Sequence, residues 1–195
     1  KWENEILQYE PYIKKALKQK ITNKRFIHNI LQKIGFKLSY AKANRLNYAI
    51  ARIFNVYGIN FNKISEKKLH VIPDLIRKIS QDKILQLIGG GKQTRMFIHV
   101  NDVASALILM MESKDAIGEI FNVVSDEKYK ILELAKMIWN VLREKEPFSF
   151  AEIELEGGDF INSVGDNTKI KRVLGWKAEQ SFKETLPQII KWYEK

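Results

Sequence analysis

The 195-residue sequence predicts an α/β protein, and three observations carry this prediction. Stretches with apolar residues at helical spacing alternate with single short strands rich in β-branched residues. Hydrophobic residues make up 45% of the chain, which is enough for a domain with a core. Four prolines and ten glycines are too few for a disordered or fibrous chain.

The N-terminal quarter predicts two helices. Apolar residues from Ile6 to Leu17 recur at helical spacing, and a second helical pattern runs from Phe26 to near Asn44. Residues 1–25 contain seven basic and three acidic side chains. This segment is therefore predicted to be a basic amphipathic helix.

The rest of the chain predicts alternating strands and helices. A strand over 48–54 leads into a glycine loop over 55–58. Further strands are predicted over 84–88, 96–99, 119–124 and 151–154. Helices are predicted over 73–81, 101–113, 131–145, 167–174 and 181–194.

Composition excludes several kinds of site. The chain has no cysteine, which removes disulfides, thiolate metal ligands and a cysteine nucleophile and fits a reducing compartment such as the cytoplasm. Its three histidines, His28, His70 and His99, are scattered, so no metal site is predicted. The longest apolar stretch, 103–111, is too short to cross a membrane.

The formal net charge of +10 leaves three anionic partners open: nucleic acid, a phosphorylated metabolite or a membrane surface. The lysines and arginines are spread over many predicted helices, and no nucleic-acid-binding motif is present, so nucleic acid is not favoured.

Six short motifs follow one another along the chain. They are Ala-Arg-Ile-Phe-Asn-Val-Tyr-Gly at 51–58, Val-Ile-Pro at 71–73, Ile-Gly-Gly-Gly-Lys-Gln-Thr-Arg at 88–95, Phe-Ile-His-Val-Asn-Asp-Val-Ala at 97–104, Glu-Ile-Phe-Asn-Val at 119–123 and Leu-Gly-Trp at 174–176. In this order and spacing they resemble the C-terminal half of the NAD-dependent epimerase/dehydratase family, the extended short-chain dehydrogenases that act on nucleotide sugars.

The resemblance implies an incomplete Rossmann-type parallel sheet plus a small α/β substrate-binding domain. The expected division is a basic helix over 1–25, the end of the Rossmann domain over 26–58 and the substrate-binding domain over 59–195. It also implies NAD as cofactor and a UDP- or dTDP-linked sugar as ligand.

The resemblance assigns substrate contacts to six residues. Arg95 would hold the pyrophosphate, although the position alone favours a surface arginine in a hairpin. Asn55 and Asn122 would contact the nucleotide sugar, although Asn55 also suits an ordinary turn. Val71, Ile72 and Pro73 would pack against the nucleotide, although they also suit a helix start with proline in its first turn.

Other candidates are given structural roles. Asp102 is predicted to cap a helix rather than act as an acid. Trp176 and Trp192 are predicted to anchor the C-terminal helices.

Two motifs of the family are not found in this sequence. No Gly-x-x-Gly-x-x-Gly occurs, and no tyrosine is followed by lysine four residues later. Counted back from Arg52, the positions of that pair fall on Phe26 and Ile30. Glu156 stands where relatives usually carry an arginine.

Two hypotheses follow from these departures. The chain is a truncated or inactive form of such an enzyme, or it is a non-catalytic module that binds nucleotide sugars. The second hypothesis includes docking on a partner through residues 1–25. A homodimer or a complementing subunit is expected in either case, because missing strands would leave an apolar edge.

Overall fold

The computed structural model describes residues 47–59, 70–81, 84–154 and 162–194. These residues form eight short strands and five α-helices, which confirms the predicted α/β class. The predictions for the basic N-terminal helix, for Phe26 and Ile30 and for Glu156 fall outside the described residues.

The strands pair in three small groups. They are β1 (Ile50–Ile53), β2 (Asn55–Tyr57), β3 (Gln86–Ile88), β4 (Thr94–His99), β5 (Ile120–Val123), β6 (Lys128–Lys130), β7 (Ala151–Ile153) and β8 (Asn162–Ser163). Parallel pairs join β1 to β5 and β3 to β7. Strand β4 pairs in parallel with β2 and β8 and antiparallel with β6.

All five helices predicted after residue 70 are confirmed, and each begins within two residues of its predicted start. They are α1 (Val71–Ser80), α2 (Val100–Glu112), α3 (Ile131–Leu142), α4 (Thr168–Leu174) and α5 (Phe182–Tyr193). Their apolar stripes are buried in the core, as the helical period requires.

The core consists of two apolar clusters. In the first, Phe182 of α5 is 1% exposed, and its ring centroid lies 4.8 Å from that of Tyr57 and 4.9 Å from that of Tyr129. In the second, fully buried Phe121 of β5 and Ile170 of α4 belong to one cluster with the buried face of α2. The first cluster also contains the buried faces of α1 and α3, which fixes those two helices around β3 and β4.

The predicted strand over 48–54 with its glycine loop is wrong in detail. The chain forms β1, breaks at Phe54 and forms β2, because β1 pairs with β5 whereas β2 pairs with β4. Asn55 therefore begins a strand rather than following one, whereas Asn122 lies inside β5. Strands β6 and β8 are not predicted because they contain only three and two residues.

Candidate functional site

A cavity of about 150 Å³ lies between α1 and the segment that contains β3 and β4. Its wall combines apolar side chains with polar and charged ones. The residues that line it include Val71, Asp74, Lys78, Gln86, Gln93 and Arg95. Two of the predicted substrate contacts, Val71 and Arg95, are thus brought to one cavity although they are distant in sequence.

Helix α1 presents one face to the cavity. Val71, Asp74 and Lys78 recur at the i, i+3, i+7 spacing that places side chains on the same face of a helix. Ile72 lies on another face, is only 4% exposed and belongs to the core. Neither Ile72 nor Pro73 lines the cavity, so Val71 is the member of this motif that a ligand in the cavity can reach.

Three glycines form the turn between β3 and β4, the two strands that contribute Gln86 and Arg95 to the cavity wall. Gly89, Gly90 and Gly91 have φ values of 55°, 63° and 68°, the left-handed region that glycine adopts without steric cost. Gln93 closes this turn, since its Nε2 donates to the carbonyl oxygen of Ile88 at 2.9 Å. The two strands do not form a hairpin, because β3 pairs with β7.

Arg95 follows this turn in β4. Its side chain is half-buried, and its Nη1 donates to the carbonyl oxygen of Thr94 at 2.9 Å. The guanidinium group lines the cavity beside the glycine turn. A guanidinium fork in a partly buried wall is suited to two parallel hydrogen bonds with a phosphate or carboxylate.

The structure does not bring the two predicted asparagines to this cavity. The Nδ2 of Asn55 donates to the carbonyl oxygen of Met96 at 2.8 Å, and that of Asn122 donates to the carbonyl oxygen of Asp166 at 2.8 Å. Each amide thus ties two segments of backbone together. Their contact with a nucleotide sugar stays a prediction.

Sequence reasoning missed the charged pair on the cavity wall. Asp74 accepts from Arg77 Nη2 at 2.8 Å through Oδ1 and from Lys78 Nζ at 2.7 Å through Oδ2. Burial raises the pKa of the Asp74 carboxyl, but these two cations outweigh burial and lower it below its usual range. The helical spacing from Val71 is the signal that could have identified Lys78.

Asp102 is not the cap of α2 that the sequence predicts. His99 occupies the cap position, where its Nδ1 accepts from the backbone N–H of Asn101 at 3.2 Å. The buried carboxylate of Asp102 instead accepts from the backbone N–H groups of Glu179 and Gln180, both at 3.1 Å. It thereby fixes the segment that precedes α5.

Replacing Asp102 by alanine is expected to lower the free energy of unfolding by about 3 kcal/mol, because two partly buried backbone N–H groups lose a charged acceptor. Asp102→Asn keeps one acceptor oxygen and is expected to lose about half as much. Urea denaturation of the three proteins measures the difference. Equal stability of Asp102→Ala and the unsubstituted chain would contradict the structural role.

His99 makes stability depend on pH. Burial lowers the pKa of its imidazole, with the nearby Asp102 charge opposing the shift, so the folded protein binds a proton less readily than the unfolded chain. Stability conferred by neutral His99 is therefore complete above the ordinary histidine pKa of 6.5 and is lost as the pH falls below it.

We expect His99→Gln, which keeps a hydrogen-bond acceptor, to reduce the loss of unfolding free energy between pH 7 and pH 5. One such group changes that free energy by at most about 1.4 kcal/mol per pH unit. Denaturant titrations at several pH values measure both slopes. Identical slopes would rule out His99 as the responsible group.

The starts of α2 and α3 do not fit the pyrophosphate of a dinucleotide. Such a site needs a glycine turn whose helix offers unpaired N–H groups. At the start of α2 the His99 ring already accepts the N–H of Asn101, and before α3 the Glu133 carboxylate accepts the N–H of Lys130 at 2.9 Å. No step through NAD is therefore derived from these residues.

Two further features are missing from the part of the chain that the structure describes. None of its helices combines the length and hydropathy needed to span a bilayer. No three of its histidine, aspartate and glutamate residues come together as a possible metal-binding group.

Comparison with known proteins gives consistent matches. The profile of the NAD dependent epimerase/dehydratase family matches residues 31–124. Human dTDP-D-glucose 4,6-dehydratase is 29% identical over 81% of this chain and 45% of its own length. UDP-N-acetyl-alpha-D-glucosaminuronate decarboxylase from Bacillus cytotoxicus is 32% identical over 76% of this chain and 46% of its own length.

Solved structures share the fold. UDP-glucose 4-epimerase from Thermotoga maritima, solved with UDP-glucose, superposes with a TM-score of 0.71 at 23% identity, over 85% of this chain and 50% of that one. UDP-N-acetylglucosamine 4-epimerase from Methanobrevibacter ruminantium, in complex with UDP-N-acetylmuramic acid, gives a TM-score of 0.68 at 27% identity, over 80% and 49%.

The chain spans between a third and a little under half of the length of curated relatives that it matches. Its α/β fold, with strands that pair mainly in parallel, is the Rossmann-like architecture of these neighbours. The matched profile, the relatives and the shared fold agree, and the chain is similar to members of the NAD-dependent epimerase/dehydratase family.

Proposed function

We propose that this chain binds a UDP- or dTDP-linked sugar, with the diphosphate held in the cavity between α1 and β4. The single observation that supports this most is the convergence of Val71 and Arg95 on one cavity. An arginine fork offers charge and two directed donors to a phosphate, while an apolar side chain opposite offers packing to a nucleoside.

The size and polarity of the cavity fit part of such a ligand. Its volume of about 150 Å³ is small for a whole nucleotide sugar, so the ligand would extend beyond it. The amides of Gln86 and Gln93 add polar groups to a wall that also contains apolar side chains such as Val71. Binding sites of this kind fix orientation with a few polar groups on an apolar surface.

We propose further that the residues of this sequence do not carry out hydride transfer by themselves. A tyrosine that acts as a base needs a lowered pKa, and burial instead raises the pKa of Tyr57 to about 12. Burial and the neighbouring Glu127 likewise raise the pKa of Tyr129. NAD, the cofactor expected from the family, would have to be bound by groups other than the helix starts described above.

A complementing subunit, or a second copy of the chain, is proposed as partner. Within the described residues β1 pairs only with β5. Its other edge therefore offers backbone groups that a neighbouring strand could pair with.

A cytoplasmic location is proposed on the absence of cysteine.

Isothermal titration of the purified chain with UDP-glucose, dTDP-glucose and NAD tests the proposed function. We expect heat from at least one nucleotide sugar and none from NAD. An absence of heat with every nucleotide sugar would overturn the binding role. Formation of NADH from NAD and a nucleotide sugar by the chain alone would overturn the proposal on catalysis.

A further inference from the structure

We propose that Lys78 supplies a second cation to the diphosphate in this cavity, opposite Arg95; this inference rests on the proposed function. Lys78 and Arg95 both line the cavity, and Asp74 is the acidic side chain among its lining residues. The charged side chains of the wall therefore sum to one positive charge. The ligand class that this pair of cations would hold is a nucleoside diphosphate.

The positive excess in the cavity is local. The described residues together contain 17 lysines and arginines against 16 aspartates and glutamates, so this part of the chain is almost neutral. Most of the net charge of +10 therefore lies in other residues, chiefly 1–46. Two cations against one acid in a single cavity are thus not a consequence of a generally basic surface.

Asp74 holds Lys78 at the wall through an ion pair that Lys78 can leave when an anion enters. The carboxylate pairs with Lys78 through one oxygen and with Arg77 through the other. Arg77 does not line the cavity, so it stays on Asp74 when an anion enters. A phosphate that attracts the Lys78 ammonium group consequently leaves the carboxylate paired.

Lys78 has the freedom to move from the carboxylate to a ligand. Its side chain is 39% exposed and carries its charge on a flexible four-carbon stem. Arg95 sits in a strand and offers a rigid fork, whereas Lys78 sits on the facing helix and offers a mobile point charge. The two cations would approach the diphosphate from opposite walls.

Titration of UDP and of uridine into Lys78→Gln tests the inference. We expect UDP to bind about 5- to 10-fold more weakly than to the unsubstituted chain, with no change for uridine, because only the phosphates lose a contact. Lys171→Gln is the matched control. Lys171 pairs with Asp126 at 2.6 Å, is 38% exposed and lies on α4, outside the cavity wall.

Asp74→Asn gives an independent measurement. It removes the negative charge from the wall and releases Lys78, so UDP is expected to bind about 2- to 3-fold more tightly at low salt. Thermal unfolding of each variant confirms that it is folded before the titrations are compared.

The outcomes separate the two proposals. If the unsubstituted chain binds UDP and Lys78→Gln binds it equally well, the role of Lys78 is overturned and the proposed function stands. An equal loss for UDP and uridine would also overturn it, by placing Lys78 against the nucleoside. If the unsubstituted chain binds neither UDP nor a nucleotide sugar, the proposed function falls and this inference falls with it.

Discussion

Replacing Arg95 by alanine is expected to weaken binding of UDP-glucose by roughly 100-fold. The half-buried guanidinium lines the proposed diphosphate site, and its loss would remove two charge-assisted hydrogen bonds. A loss of about 3 kcal/mol is within the range of two such bonds and corresponds to that change in affinity. Isothermal titration measures the dissociation constants of both proteins.

Three measurements control for indirect effects of this substitution. Arg95→Lys keeps the charge but loses the fork, so an intermediate loss of about tenfold is expected. Arg52→Ala removes an exposed arginine of β1 that does not line the cavity and should leave binding unchanged. Thermal unfolding accounts for the lost hydrogen bond to Thr94. Unchanged affinity of Arg95→Ala would remove the basis of the proposed function.

The sequence predicts the helices well because their signal is local. The apolar residues of α1 repeat at helical spacing, and those of each later helix follow the same period. The strand break at Phe54 is different. It depends on which strands lie beside β1 and β2, and this pairing joins residues far apart in sequence. Short strands such as β8 carry too few residues for a periodic signal.

The candidate site was also predictable only in part. Arg95 and Val71 were found through motifs, and the structure shows that they share a cavity. Lys78 carried a usable signal, the helical spacing from Val71, whereas Gln86 carried none. The amides of Asn55 and Asn122 donate to backbone carbonyl groups that are distant in sequence, so they stabilise the fold. These contacts depend on the tertiary structure and have no signal in the local sequence.

Replacing Gly91 by alanine is expected to lower the free energy of unfolding by about 2–5 kcal/mol. Its φ of 68° imposes roughly 1–2 kcal/mol on a residue with a side chain. An added Cβ would also lie 2.8 Å from the backbone nitrogen of Leu132 at the start of α3, and such overpacking typically adds 1–3 kcal/mol. Because backbone cannot move aside as a side chain can, this second cost is not avoided.

Gly118→Ala separates the two contributions. Gly118 has a φ of 80°, but an added Cβ there meets nothing within 4 Å, so only the conformational cost of about 1–2 kcal/mol applies. Chemical denaturation of both variants measures the difference. Gly91→Ala should also weaken UDP-glucose binding, since Gly91 packs on the helix start that brings Ile131 to the cavity. Equal losses of stability in the two variants would show that the turn does not press on α3.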